Sequence, residues 1–269
     1  MAPEPGGVTR RGLLVGGFCA LCAGVAGYEV GRVEKDLNPV GPGVITNSNW
    51  QRRRFQPDAV FGVPTSEKVV ALTFDDGPDE RYTTSVLDQL ASHNAHATFF
   101  QIGVNALAYP ALSTAVHDAG HTIGNHTFDH ADLERLQPSH VEDEIDRGEA
   151  ALVKVGLPRP TLFRPPKGFT DEVVDVVADG ERYRTVFWGL CVERFVDHTD
   201  VRDGVIQLLG HVRPGDIILA HDGGKVVGVP GRPVLSRERT MEALPLLLAG
   251  LTRLGFKVVD IPTLLRARP

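Results

Sequence analysis

Short apolar runs alternate along the chain with segments in which apolar residues recur at helical spacing. The run at residues 69–74, VVALTF, is apolar or β-branched throughout and is followed by Asp75, Asp76 and a Gly-Pro pair. A run of this length that is closed by Gly-Pro is typical of a buried strand that enters a turn. The chain therefore carries two adjacent carboxylates at the point where a strand ends.

The same alternation continues to the C-terminus and predicts an α/β fold with a largely parallel sheet. The pattern predicts strands at residues 69–74, 97–100, 162–164, 185–188, 216–220 and 257–261, and a short strand that ends near residue 125. It predicts helices at residues 84–95, 111–119, 139–156, 171–178, 201–209 and 238–254, the third of which opens with a capping box at Ser139 and Glu142. About seven strand–helix units would close a barrel or form a strongly curved sheet, and the pattern does not choose between them.

The first 33 residues have the pattern of a targeting segment. Arg10 and Arg11 precede an uncharged apolar run at residues 12–27, which suggests twin-arginine export. The run is long for a signal peptide and shorter than the roughly 20 residues that span a bilayer comfortably. Cleavage of this segment and retention as a membrane anchor through residues 10–28 are therefore both open.

The rest of the chain divides into a spacer and one folded domain. Residues 34–66 are rich in Pro, Gly, Asn and Arg and lack apolar periodicity, so we interpret them as a spacer between the membrane and the domain. Residues 67–269 carry the alternating pattern and form the predicted domain. We expect a monomer that works outside the cytoplasm, either secreted or anchored.

Charge and cysteine content exclude two classes of protein. A formal net charge of −6 argues against nucleic-acid binding, because phosphate backbones are held by clustered Lys and Arg. Cys19, Cys22 and Cys191 are the three cysteines, and they do not make a disulfide framework because two of them lie in the targeting segment. We expect contact with a membrane only through the N-terminal segment.

Polar side chains follow several predicted strands, and two of them are histidines. His126 and His130 come just after the strand near residue 125, and their spacing would place them on one face of a helical turn. With a carboxylate from the turn at Asp75 and Asp76, they would make a two-histidine, one-carboxylate metal site with positions open for water and substrate. Two solvated histidines and an ordinary Asp-Asp-Gly-Pro turn are the plainer alternatives, and these residues alone do not exclude them.

Two further strand ends supply groups that complete such a set. Arg164 precedes Pro165 and Pro166, which break any helix and fix the backbone. Arg164 is therefore held at a strand terminus, where it can pair with a carboxylate. His221 directly follows the apolar strand at residues 216–220. A lone histidine in this position is usually only a loop residue, but here it adds a fourth strand end with a charged group.

The chain resembles the polysaccharide deacetylases that share the NodB homology domain, carbohydrate esterase family 4. The resemblance runs from about residue 69 to residue 261 and rests on five motifs in the expected order. They are TFDDGP at 73–78, ATFF at 97–100, HTFDH at 126–130, RPPKG at 164–168 and LAH at 219–221. The resemblance implies a distorted (β/α) barrel with fewer than eight units and a metal-dependent hydrolase that deacetylates a polysaccharide.

The resemblance also implies which residues carry the reaction. Asp75 would be the general base, and Asp76, His126 and His130 would hold a divalent ion, usually Zn²⁺, with Co²⁺ or another ion as an alternative. His221 would be the general acid that protonates the departing sugar amine, a role suited to the pKa of histidine near 6.5.

Three more motif residues would support these groups. The backbone N–H of Lys167 would stabilise the oxyanion, at a position where many relatives have tyrosine. Leu219 would line the pocket for the acetyl group. Arg164 would orient Asp75 and keep it ionised through a charge-assisted pair.

One segment departs from the family pattern. Relatives have an aspartate three residues after a tryptophan such as Trp188, where this chain has Cys191. That aspartate normally pairs with the motif arginine, so Glu193 is predicted to partner Arg164 if the segment is extended. Phe195 stands where relatives have tryptophan and would wall the acetyl pocket without an indole N–H donor. Cys191 itself is interpreted as a small buried residue.

These features indicate an exported, metal-dependent N-deacetylase of an extracellular amino-sugar polymer. Peptidoglycan is the expected substrate, because a tethered enzyme outside a bacterial membrane meets it first. Chitin oligomers, an exopolysaccharide and O-acetylated xylan stay open, since the sequence does not describe the substrate loops.

Two other functions compete with this interpretation. The altered segment at 191–195 could leave an inactive wall-binding domain, although intact Asp75 and His221 argue against a site that only binds. A metal-dependent amidase or phosphodiesterase on a similar scaffold is the other alternative. Phosphate substrates usually attract several cations, and near these motifs the chain has only Arg164 and Lys167.

Overall fold

The computed structural model describes residues 59–267, so the predicted targeting segment and most of the predicted spacer lie outside the described residues. The strands are β1 Val69–Asp75, β2 Thr98–Gln101, β3 Thr122–Asn125, β4 Leu162–Phe163, β5 Arg184–Thr185, β6 Leu190–Cys191, β7 Ile217–His221 and β8 Lys257–Val259. The helices are α1 Thr83–Ser92, α2 Gly103–Ala108, α3 Pro110–Asp118, α4 Pro138–Lys154, α5 Glu172–Gly180, α6 Val192–Val196, α7 Val201–His211, α8 Glu238–Arg253 and α9 Ile261–Leu264. Within residues 59–267, no helix is both long enough and apolar enough to cross a membrane.

The strands form one parallel sheet with β1 at its centre. The order is β5-β4-β3-β2-β1-β7-β6, and β8 pairs with the first half of β1. The register of β1 with β7 places Asp75 beside His221. Because parallel strands end at the same edge of a sheet, the loops after β1, β3, β4 and β7 gather at this edge.

The side chains of β1 alternate between two apolar clusters. Val70, Leu72 and Phe74 pack in the outer cluster, which also contains buried residues of α1, α7 and α8. Ala71 packs in the inner cluster, which contains Phe100, Trp188 and Leu219 among others. Because successive residues of a strand point to opposite faces, Asp75 lies on the inner face with Ala71.

The segment at residues 59–63 lies across the seam of the curled sheet, between the end of the edge strand β5 and the start of β7. Val60 pairs with Val186 in a parallel bridge, and Gly62 pairs with Asp216 in an antiparallel bridge. The segment therefore links the two edges of the curled sheet. This confirms the predicted distorted (β/α) barrel with about seven strand–helix units.

The same segment corrects the predicted boundary between spacer and domain at residue 67. Val60 and Phe61 are buried, and the ring of Phe61 stacks on that of Phe187 at a centroid distance of 4.7 Å. Residues 59–66 thus belong to the folded domain. Their apolar positions are too few and too irregular to show a period, so the sequence pattern predicts a domain that starts later than the observed one.

Helix α4 starts differently from the sequence-based expectation. Pro138 occupies its first turn, where the missing N–H has no intrahelical partner to lose. Gln137 precedes it, and its side chain makes no capping hydrogen bond. The predicted capping box at Ser139 and Glu142 is therefore wrong, because Ser139 already lies inside the helix.

The seam contact is testable by truncation of Phe61. We expect Phe61→Ala to lower the free energy of unfolding by about 3 kcal/mol, because it removes a buried ring and leaves a cavity. Urea denaturation of the purified protein measures this loss. Leu254→Ala is the control, since Leu254 is 42% exposed and should change the stability by about 0.5 kcal/mol or less. Equal losses for the two variants would contradict a structural role for the segment.

Candidate metal centre and active site

The buried guanidinium of Arg164 holds the first carboxylate of the β1 turn. Arg164 is fully buried, and its Nη1 donates to Asp75 Oδ1 at 2.7 Å. Its N–H groups also donate to Thr73 Oγ1 at 2.9 Å, Val186 O at 3.0 Å and Phe187 O at 3.0 Å. The planar fork of an arginine can satisfy several acceptors at once. The position of Asp75 is therefore fixed by a side chain from the end of β4.

Asp76 reaches the same cleft as Asp75 because the backbone reverses between them. Asp76 has a φ of +72°, in the left-handed region that Asp and Asn tolerate better than most residues. Its Oδ1 lies 3.2 Å from His130 Nε2 and 3.6 Å from His126 Nε2. The carboxylates of the two adjacent aspartates thus face the same cleft, each within 3.7 Å of His126 Nε2.

The loop after β3 presents both imidazoles to Asp76. Their ring centroids are 5.1 Å apart, which confirms that the histidines lie together. The predicted helical turn is wrong, because Thr127 and His130 have φ values of +67° and +62°. His126 Nδ1 lies 2.7 Å from Arg164 O. A carbonyl oxygen only accepts, so Nδ1 carries the proton and Nε2 is left as a ligand atom.

Asp76, His126 and His130 fit a divalent cation. Each offers one donor atom, and these atoms lie within 4.8 Å of one another. The buried Asp76 Oδ1 has no hydrogen-bond partner among the described residues. Burial lowers the pKa of His130 to about 4 despite the neighbouring carboxylate, so its imidazole is neutral at pH 7, the form that binds metals. One carboxylate oxygen and two imidazole nitrogens suit Zn²⁺ and similar ions.

A second titratable pair lies next to this donor set. His221 is adjacent to Asp75 on the neighbouring strand, and its Nδ1 lies 3.1 Å from Glu193 Oε1. Burial and the Arg237 guanidinium act to lower the pKa of His221, but the Glu193 carboxylate outweighs them and raises it to about 9. His221 is therefore positively charged at neutral pH and can donate a proton.

Comparison with known proteins agrees with this arrangement. The sequence profile of a family described as polysaccharide deacetylase matches residues 62–186. A peptidoglycan-N-acetylglucosamine deacetylase of Bacillus cereus is 36% identical over 225 residues, which cover 80% of this chain and 97% of that protein. The chain belongs to the polysaccharide deacetylase family.

Another relative by sequence and a solved structure are also named as deacetylases. A chitooligosaccharide deacetylase of Bradyrhizobium sp. is 34% identical over 216 residues, which cover 76% of this chain and 94% of that protein. A crystal structure of a peptidoglycan N-acetylglucosamine deacetylase has a TM-score of 0.70 at 27% identity and covers 82% of this chain and 97% of that chain. The protein is a carbohydrate deacetylase, a hydrolase that acts on carbon–nitrogen bonds.

The deacetylase departs from the sequence-based expectation at Glu193. The predicted partnership of Glu193 with Arg164 is wrong, since Glu193 Oε1 accepts from His221 N at 3.1 Å and Thr240 Oγ1 at 2.9 Å. The prediction assumed an extended backbone, whereas Val192–Val196 forms α6 and this turns the side chain toward β7. Burial acts to raise the pKa of Glu193, but His221 lowers it to about 2.

The same helix displaces Phe195 from its predicted place. Phe195 packs in the outer cluster, with its ring centroid 5.6 Å from that of His211. Leu219 lies in the inner cluster with Trp188, so the prediction that Phe195 walls a pocket with Leu219 is wrong. Cys191 is fully buried, in agreement with its interpretation as a small buried residue. Its Sγ donates to Glu193 Oε2 at 3.4 Å.

The structure places Lys167 and Leu219 at the same edge as the charged groups. Lys167 has a φ of +59° in the turn Pro166–Gly168, and its Nζ pairs with Asp132 Oδ1 at 2.5 Å. Leu219 is buried and lies two residues before His221, so it shares the inner face of β7. Their contacts with a substrate stay predictions.

Sequence reasoning missed Arg237 entirely. This buried residue immediately precedes α8, and its Nη2 donates to Asp76 Oδ2 at 3.0 Å across 161 residues of chain. Within its stretch SRERT, no periodicity or motif distinguishes it from Arg239. The contact depends on how α8 packs against the sheet, and no local pattern carries that information.

The pair formed by Glu193 and His221 generates a measurable prediction. Glu193→Gln removes the largest contribution that raises the pKa of His221, while burial and Arg237 continue to lower it and Asp76 continues to raise it. We expect the pKa of His221 to fall well below its value of about 9, because the neighbouring negative charge is lost. Titration of the histidine resonances by NMR in the metal-free protein measures the shift. Glu181→Gln is the control, because Glu181 lies at the surface 3.4 Å from Arg159; a His221 pKa that is unchanged in Glu193→Gln would contradict the assignment.

Proposed function

We propose that the protein is an exported, divalent-metal-dependent enzyme that removes N-acetyl groups from N-acetylglucosamine units of peptidoglycan. The observation that carries this proposal is the pairing of β1 with β7, which sets Asp75 and His221 side by side. The donor set of Asp76, His126 and His130 lies at the same strand edge. A base, an acid and a metal set around one cleft are the groups that amide hydrolysis at neutral pH requires.

The relatives and the N-terminal pattern support the substrate and the location. The Bacillus cereus relative is named for peptidoglycan N-acetylglucosamine, and the Bradyrhizobium relative is named for chitooligosaccharides. Both names describe acetylated amino sugars, and the first belongs to the more similar of the two proteins. The twin-arginine pattern at Arg10 and Arg11 supports export to the compartment where peptidoglycan lies.

Zn²⁺ is the ion that we propose for Asp76, His126 and His130, because it commonly takes imidazole and carboxylate ligands and leaves a position open in catalytic sites. When bound, a divalent ion supplies Lewis acidity, which lowers the pKa of a coordinated water to about 7 and polarises a carbonyl oxygen. This chain holds the imidazole of His126 in place through the contact of its Nδ1 with Arg164 O.

Asp75 is the proposed general base. Its Oδ1 is occupied by Arg164 at 2.7 Å, whereas its Oδ2 lies 3.7 Å from His126 Nε2 and so faces the donor set. In the proposed reaction, Asp75 Oδ2 accepts the proton of the attacking water. Arg164 prevents rotation of the carboxylate during this transfer, because it holds the other oxygen.

His221 is the proposed general acid. Its imidazolium protonates the nitrogen of the departing sugar amine as the carbon–nitrogen bond breaks. Glu193 keeps the imidazole charged at the start of the cycle. Leu219 lies below His221 on the same face of β7, where an apolar side chain suits the methyl of an acetyl group. The backbone N–H of Lys167 is the proposed donor to the oxyanion.

Acetate release tests the proposed reaction and substrate. We expect the purified protein to release acetate from peptidoglycan and, more slowly, from N-acetylglucosamine oligomers when Zn²⁺ or Co²⁺ is supplied. Chelation should abolish release and added metal should restore it. Polysaccharide binding without any release, in protein shown to contain metal, would favour an inactive wall-binding domain instead.

Substitution of Asp75 tests its role separately from metal binding. Asp75→Asn should lower kcat by about 100-fold or more, because an amide does not accept the proton, and it should leave metal content near one ion per chain. Elemental analysis and acetate release measure the two effects on the same sample. Asp118→Asn, at the exposed end of α3, should match the unaltered protein. Retained turnover in Asp75→Asn would refute the base assignment.

A further inference from the structure

We propose that Arg237 is a positioning residue that orients the carboxylate of Asp76 for metal binding. The inference rests on the proposed metal site at Asp76, His126 and His130. Arg237 belongs to none of the five sequence motifs. It is the residue that immediately precedes α8. Its function would be to set the geometry of a ligand that it contacts, without contact to the substrate.

The side chain of Arg237 is held by two acceptors at once. Its Nη2 donates to Asp76 Oδ2 at 3.0 Å, and its Nε donates to Gly223 O at 2.8 Å. The side chain is 5% exposed, so water does not compete for these donors. Two bonds from one planar group fix its orientation as well as its position.

This contact separates the roles of the two oxygens of Asp76. Oδ2 is occupied by Arg237, and Oδ1 points toward His130 Nε2 and His126 Nε2, at 3.2 Å and 3.6 Å. A carboxylate that can rotate about its terminal bond would lose this distinction. With one oxygen occupied by a fixed donor, the other stays directed at the place where the imidazoles converge.

The backbone around Asp76 is tied to the same loop. Gly223 approaches so closely that a Cβ there would lie 2.0 Å from Asp76 O, which requires glycine. Asn105 Nδ2 donates to both Asp76 O and Lys225 O at 2.8 Å. Asn105 therefore holds the main chain of the ligand, and Arg237 holds its carboxylate, both against the loop that follows β7.

A positive charge beside a ligand also opposes metal binding, because it repels the incoming cation. Two features make orientation the larger effect here. The guanidinium is already neutralised by Asp76, with which it forms an ion pair at 3.0 Å. Its removal would also leave Oδ2 without the donor that holds it, which disfavours the ligating conformation. Loss of such a supporting contact typically weakens metal affinity by about 10–100-fold.

The test compares Zn²⁺ affinity in three variants of the full chain. Arg237→Gln should bind Zn²⁺ about 10–100-fold more weakly than the unaltered protein, as measured by competition with a chromophoric chelator. Arg237→Lys keeps the charge but lacks the rigid planar fork that reaches Asp76 Oδ2 and Gly223 O together, so its affinity should fall between the two. Arg239→Gln is the matched control, since Arg239 lies two residues away and donates to the backbone oxygens of Val196 and Thr199. Its Zn²⁺ affinity should be unchanged within about twofold, and circular dichroism checks that each variant is folded.

The outcomes distinguish this inference from the proposed function. Unchanged or tighter Zn²⁺ binding in Arg237→Gln, with acetate release by the unaltered protein, would overturn the inference and leave the function standing. If Arg237→Gln does not fold, an affinity of Arg237→Lys equal to that of the unaltered protein would overturn it as well. Absence of Zn²⁺ binding in the unaltered protein would refute the metal-dependent function and the inference together.

Discussion

The ion pair of Arg164 with Asp75 is the interaction on which the site depends. A fully buried arginine is tolerated only when its charge and its donors are matched, and here they are matched by Asp75 and by three further oxygens. The side chain thereby ties the end of β4 to the end of β1 through the interior of the barrel. Removal of either partner would leave a buried charge without compensation, typically at a cost of about 3–5 kcal/mol. The contact that positions the proposed base is thus also a contact that stabilises the fold.

The same principle extends to the other charged groups of the cleft. Asp76 faces Arg237 at 3.0 Å, and Glu193 faces His221 at 3.1 Å. Asp76 and Glu193 are thus each matched by a cationic group from a different element of the chain, as Asp75 is by Arg164. This arrangement keeps the groups ionised and in place where water is scarce. It also explains how a proposed base and a proposed acid can lie on adjacent strands without exchanging roles.

The conformation of the segment after β6 does not follow from its sequence alone. The aspartate expected from relatives is replaced by Cys191, and an extended backbone would have directed Glu193 toward Arg164. The chain instead forms α6, which brings Glu193 to His221 and sends Phe195 into the outer cluster. A carboxylate is retained in the cleft, but it supports the proposed acid. Five residues of helix or strand differ too little in local preference for the sequence to decide, and packing against α7 and α8 decides.

The sequence by itself determined the parts of this protein that depend on local pattern. A strand that ends in Asp75 and Asp76, histidines after a second strand and Arg164 before two prolines are properties of short segments, and the alternation of β1 already assigns Asp75 to one face. Only the tertiary structure decided which of these groups face one another. The pairing of Asp76 with Arg237 joins residues 161 positions apart, and the seam at residues 59–63 joins β5 to the β7 side of the sheet. Such contacts follow from how parallel strands and their helices pack around one interior, and a local period contains no information about that packing.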